Sequence, residues 1–249
     1  AYNVSVGTYA LSTLTTNSGS TAVGYNALGL LVTGGANSAL GYNALYKTTG
    51  TNNTGMGYSV LYENTSGAQN TALGTYCLDN NTTASNNTGV GYAALGANTT
   101  GASNTAVGVS ALAANTTGYS NTVVGSTAMD ATTTGYKAVG IGYGALGANT
   151  TGFQVTAVGY DAGSGHTEGY NNTFMGINAG AAITTGAENC IMGSEAGRYA
   201  TGSPTTAFGH NAGTGTNGSA TGEGNTAIGH QALREFTSGG SNVAVGANV

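Results

Sequence analysis

Three histidines (His166, His210 and His230), two cysteines (Cys77 and Cys190) and nine acidic side chains are the groups with which this chain could do chemistry. None falls into a catalytic spacing: the acids are mostly isolated, no serine sits in a nucleophile-elbow context, and Gly140 to Gly142 lacks the surroundings of a phosphate loop. The cysteines make neither a disulfide framework nor a metal-ligand spacing, so both are expected to be reduced and structural. His210 and His230 share one repeat position and could approach a common metal ion; a solvent-facing pair is the plainer reading, and no metal site or cofactor is assigned. Tyr25, Tyr42, Tyr58, Tyr92, Tyr143 and Tyr160 form one aromatic column, and Tyr119, Tyr136, Phe153 and Tyr170 another. Such columns either offer a platform to sugar rings or simply stack. Sequons at Asn64, Asn98, Asn115 and Asn149 follow from a recurring turn and carry little about glycosylation. The expectation is a protein that is not an enzyme.

Composition narrows the partners. Only 5% of residues are charged, against about 25% in ordinary soluble proteins. No basic run exists to neutralise a phosphate backbone or an anionic membrane surface, so nucleic acid is excluded as a partner. The longest apolar stretch, Ala27 to Val32, is interrupted by Gly29 and falls far short of the ~20 residues that span a bilayer, so no membrane insertion is expected. The start at Ala1 without a charged and apolar leader suggests a mature product or an excised piece.

What positions these side chains is a repeat. A recurring N-T-A-V-G pattern places its glycine at 7, 24, 41, 57, 74, 91, 108, 125, 142, 159, 176, 193, 209, 229 and 246, and eleven of the fourteen intervals are 17 residues. Taking that glycine as position zero, the preceding residue (−1) is large and apolar in every copy, and the residue at +3 is Ala except at Val60, Cys77 and Val249. The residue at +4 is Leu or Met in the first nine copies. Alternation around Thr or Val at −3 reads as strand, and Gly at zero and −7 with Asn98-Thr99-Thr100-type sequences reads as turn. Two short strands per repeat, stacked in parallel, predict an all-β, parallel β-solenoid of about fifteen 17-residue coils. At the ~4.8 Å strand spacing it would extend roughly 70 Å. Gly and β-branched residues are too frequent for helices.

In this reading the large apolar column at −1 is the core. Position −2, which is Ala, Gly or Ser in twelve of fifteen copies, then faces outward. Small outward residues hint at a neighbouring chain or at a crowded pleat.

The segment from Gly101 through Asn104, Thr105, Ala106, Val107, Gly108, Ala111 and Leu112 resembles the head repeats of trimeric autotransporter adhesins. Long-period repeats of bacteriophage tail fibres are similar. The resemblance covers essentially the whole chain, with three more residues per coil here. It implies a left-handed parallel β-roll, a homotrimer, and an extracellular or virion-surface attachment structure. A tail fibre shaft or head is the leading expectation, with a bacterial adhesin head or an ice-binding solenoid as alternatives; no outward Thr-x-Thr strand recurs to favour the last.

The array changes character near its last third, dividing regular repeats over 1–158 from an irregular continuation over 159–249. Gly163, Gly180, Gly197 and Gly213 replace the Leu at +4, and charged and imidazole side chains gather from His166 to Glu235. A ligand site, whether for a host-surface glycan or a protein receptor, is therefore expected to use Glu195, Arg198, Tyr199, His210 and His230. A modified coil cross-section would explain the same features.

Overall fold

The computed structural model describes residues 2–16, 18–217 and 220–249. Fifteen parallel strands of three or four residues, from Val4–Val6 to Val243–Val245, recur at the repeat interval, and the chain is an all-β parallel β-solenoid. It comprises two compact units, Ala1–Val123 and Val124–Val249. In the first, each strand from Val4–Val6 to Thr105–Val107 pairs in register with the next. In the second the same holds from Val139–Ile141 to Val243–Val245.

Each coil contains one strand, where two were expected. The segment from +2 to +4 still bonds coil to coil, as Leu45 N–H to the Val60 carbonyl (2.9 Å) and Leu95 N–H to the Ala111 carbonyl (3.0 Å). Its backbone, however, alternates through left-handed residues, such as Asn43 (φ 54°) and Leu45 (φ 55°), which pleated strands do not contain. A left-handed leucine costs roughly 1–2 kcal/mol. Complete burial of its side chain, worth about 1.5–3 kcal/mol, offsets that cost. At position zero the coils approach too closely for a side chain: a Cβ on Gly91 would run into the Gly108 carbonyl, and φ there is 135°.

The strand is turned the opposite way from the expectation. Ala22, Ala39, Ala72, Ala106 and Ala157 at −2 are buried, whereas Leu40, Met56 and Leu73 at −1 are 43%, 46% and 45% exposed. The reason is width. Leu at +4 crosses the coil and fills its centre, with Ala at +3 beside it, so the facing strand position has room only for Ala or Gly. A Cβ on Gly55 would already press within 3.1 Å of both Leu45 and Val60. The large residues at −1 therefore line the outer face of the sheet, with Thr or Ser at −3 beside them.

Two further inward columns are polar. At −4, Asn37, Asn53, Asn70, Asn87 and Asn104 are fully buried, as at +7 are Asn64, Asn81, Asn98 and Asn115. Each −4 oxygen accepts the backbone N–H of the corresponding residue one coil on, as Asn53 Oδ1 does from Asn70 (3.0 Å). Along +7 the amides bond one another, with Asn98 Nδ2 donating to Asn81 Oδ1 at 2.9 Å. The columns meet at the turn carbonyl. The Gly67 oxygen accepts from Asn53 (2.9 Å) and Asn64 (3.0 Å), and the Gly101 oxygen from Asn87 (2.9 Å) and Asn98 (3.0 Å). The Asn of the Asn-Thr-Thr turn thus points into the coil and holds its corner shut.

At Gly163, Gly180 and Gly197 the change in the last third is an exchange of volume across the core, whereas Gly213 still faces Ala207 and Ala227. Where +4 becomes Gly163 and Gly180, the strand supplies Phe174 at −2, and a Cβ on either glycine would strike its ring. Ile191 likewise occupies the space in front of Gly197. Phe174→Ala should therefore destabilise the chain by about 3–5 kcal/mol, read from urea unfolding. Phe174→Ala combined with Gly180→Leu should recover at least half of that loss, because leucine already occupies this left-handed position in nine other coils. A strictly additive further loss would contradict the exchange.

Candidate functional site

The five residues singled out for ligand binding form two constellations. Glu195 and Arg198 make an ion pair of 2.9 Å with both side chains about one-third exposed, and the Arg198 guanidinium lies 5.1 Å from the centre of the Tyr199 ring. His210 and His230 stack at 5.4 Å with their planes 11° apart. Their 20-residue interval does not disturb this, because Thr205 pairs with Asn225 and Phe208 with Ile228, restoring register ahead of the histidines. Asn211 Nδ2 lies 3.1 Å from His210 Nδ1.

What these groups can do is bounded by what already engages them. One guanidinium nitrogen donates to Glu195, leaving the other edge of the fork to donate to a carboxylate or hydroxyl of a ligand. The arrangement is not peculiar to the irregular coils. In the regular array Lys47 pairs with Glu63 at 2.8 Å and sits 5.3 Å above the Tyr62 ring. An ion pair laid on a tyrosine is thus a recurring surface device, and Glu63 raises the Lys47 pKa by accepting its hydrogen bond.

The aromatic columns are stacks. Tyr25, Tyr42 and Tyr58 succeed one another at 5.1 and 5.2 Å with nearly parallel planes, as do Tyr143 with Tyr160 at 5.3 Å and Tyr136, Phe153 and Tyr170 at 4.9 and 5.4 Å. Where the +1 tyrosine is replaced by Thr8 or Thr75, the next residue restores continuity. Tyr9 meets Tyr25 edge-on at 5.8 Å, and Tyr76 meets Tyr58 and Tyr92 at 5.5 and 6.2 Å. In the parallel stacks the ring faces are spent on one another, and edges and hydroxyls are presented outward.

The remaining candidate chemistry is enclosed. Asn64, Asn98, Asn115 and Asn149 are fully buried in the amide column, which puts every one of those sequon side chains out of reach of a glycosyl donor in the folded chain. Both cysteines are free. Cys190 is half-buried at an outward strand position, while Cys77 lies in the core against Gly89, and burial pushes its thiol up to about 12. Asp79 and Asp130 are raised by partial burial. No group of three or more metal-ligating side chains occurs among the described residues.

Sequence reasoning passed over the buried imidazole of His166 and the inward asparagines. A signal was present: Asn occupies −4 in eleven of fifteen copies, on the same strand parity as the small −2 residue, whereas −1 varies freely among Val, Leu, Met, Ile and Phe. In native buffer an aromatic disulfide reagent should leave Cys77 untouched and report it only after unfolding; native reaction at the rate of an exposed thiol would contradict the core assignment. No family model, curated protein or solved structure matches the chain, and what it does must be read from the surfaces the solenoid presents.

Proposed function

We propose that the chain is a structural segment of an extracellular or virion-surface fibre, built from three parallel copies and engaged in attachment to a host surface rather than in catalysis. One observation carries the reading: each unit leaves a column of large apolar side chains on the outer face of its sheet. In the first unit this column includes Leu40, Met56 and Leu73, and in the second Ile141, Met175 and Ile228. In the first, Val23, Leu40 and Met56 with Thr21, Ser38 and Thr54 line a shallow apolar depression. A contiguous apolar strip of this kind marks an association surface. The coil interior, filled by alanine, glycine and single leucines, buries little apolar area per residue, so lateral association adds burial that the lone chain lacks.

Neighbours are invited by large outward residues, since the small ones face in. Threefold closure follows the resemblance to trimeric adhesin heads and tail fibres, and a closed ring of identical contacts satisfies all three copies at once. The outward Thr column beside the apolar one lends some support to an ice-binding surface, but protruding Leu40, Met56 and Leu73 make the face uneven, which favours a protein partner.

Light scattering on the isolated segment should give about three times the 24.2 kDa chain mass. Replacing Leu40, Met56 and Leu73 together by Asp should dissociate it, and a stable folded monomer of the unaltered chain would overturn the reading. Weak contacts multiplied by threefold symmetry suffice for attachment. If Arg198, His210 and His230 provide them, Ala substitution of all three should abolish host-cell or glycan binding by the assembled segment. Undiminished binding would move the site elsewhere.

A further inference from the structure

His166 occupies the +7 position at which Asn64, Asn81, Asn98, Asn115 and Asn149 form the buried amide column, and it is itself fully buried. Its ring is held at both nitrogens: Nδ1 lies 3.1 Å from Asn149 Oδ1, and Nε2 lies 3.0 Å from Asn172 Nδ2. Neither amide is free to turn. Asn149 Nδ2 donates to Thr132 Oγ1 and to the Gly152 carbonyl, so its oxygen is the atom facing the imidazole. Asn172 donates to the Gly186 carbonyl at 2.7 Å, and its oxygen accepts the Asn189 backbone N–H at 2.9 Å. The network therefore specifies one tautomer of the neutral ring, with Nδ1–H donating and Nε2 accepting.

A second proton has no place in this arrangement. It would sit on Nε2, directed at the N–H of Asn172, and create a donor facing a donor. Packed on the ring are Asn149, Asn172, Phe174 (ring centres 5.8 Å apart) and the backbone at Gly152 and Gly169, where a Cβ would collide with the imidazole. None of these groups titrates, and none carries a negative charge to compensate the imidazolium. The coils that carry asparagine at this position contain no such proton acceptor.

We propose that His166 makes the coils around it an acid-labile element of the solenoid: protonation expels the imidazole, breaks its bonds to Asn149 and Asn172, and opens the corner between Gly165 and Asn172 while the asparagine coils stay closed. Burial alone holds the folded imidazole down at about 4, against 6.5 for the free group. The folded state thus binds fewer protons than the opened state between those values. Stability of this element is fully present above about pH 6.5, falls as pH drops, and levels off below about pH 4. At about pH 5 the shift corresponds to an opening equilibrium roughly 30-fold more populated than at about pH 7.5.

The test is amide hydrogen exchange at about pH 7.5 and about pH 5, corrected for intrinsic rates, on the full chain and on His166→Asn. That variant restores the residue found in the neighbouring coils. Acid should accelerate opening across residues 160–186 by about 30-fold in the wild type. In His166→Asn it should change little. Within the wild type itself, residues 53–115 serve as an internal reference that should not respond, which keeps the test decisive if the variant folds poorly. Equal acceleration in both proteins, or an equal response in residues 53–115, would overturn the proposal.

Discussion

The structure depends on a carbonyl oxygen shared by two buried amides. At each regular corner, a turn residue such as Gly67, Ala84, Gly101 or Gly118 accepts one hydrogen bond from the −4 asparagine and one from the +7 asparagine, using both of its lone pairs. A buried carboxamide without partners would cost several kcal/mol, so the two columns are stable only while coils stay in register. A slip of one residue along the chain would strand an amide in every coil. The polar interior thereby specifies the stack, and the small apolar residues fill what space remains.

From that constraint the rest of the coil follows. The corner held by asparagine fixes the width of the cross-section, and the width limits the facing strand position to Ala or Gly wherever leucine crosses the middle. The exchange of Leu for Gly at +4 and of Ala for Phe174 or Ile191 at −2 keeps the volume while reversing which wall supplies it. Large apolar side chains that cannot fit inside are displaced to the outer sheet face, where an isolated chain leaves them in water. An interior too narrow for its own hydrophobic residues thus presents the apolar column on which the proposed lateral association rests.

The period, the parallel stacking and the fold class were legible in the sequence, because a glycine every 17 residues leaves no other architecture with matching turns. The orientation of the strand was not. Alternation states that −1 and −2 face opposite ways, and hydrophobicity assigns the larger residue inward by default; only the reach of Leu45 or Leu95 across the coil reverses it. The second expected strand failed for a related reason. Leucine adopts the left-handed conformation there under packing pressure that no local propensity predicts. Of the candidate site, the stacking of His210 on His230 could be read from their shared position. The pairing of Glu195 with Arg198 needed the left-handed backbone at Glu195 (φ 58°), and the burial of His166 follows only from an asparagine column that faces inward, which a turn motif by itself does not specify.

The side-chain amides at −4 and +7 lie inside the coil and carry its register. Hydrogen exchange of the Asn carboxamide protons, followed by nitrogen-resolved NMR, measures it directly. Asn53, Asn70, Asn81, Asn87 and Asn98 should exchange only as the coils open, with protection comparable to the strand amides beside them, while the exposed Asn86 and Asn171 exchange freely. Carboxamides at the inward positions that exchange as fast as those of Asn86 and Asn171 would contradict an inward, register-setting role.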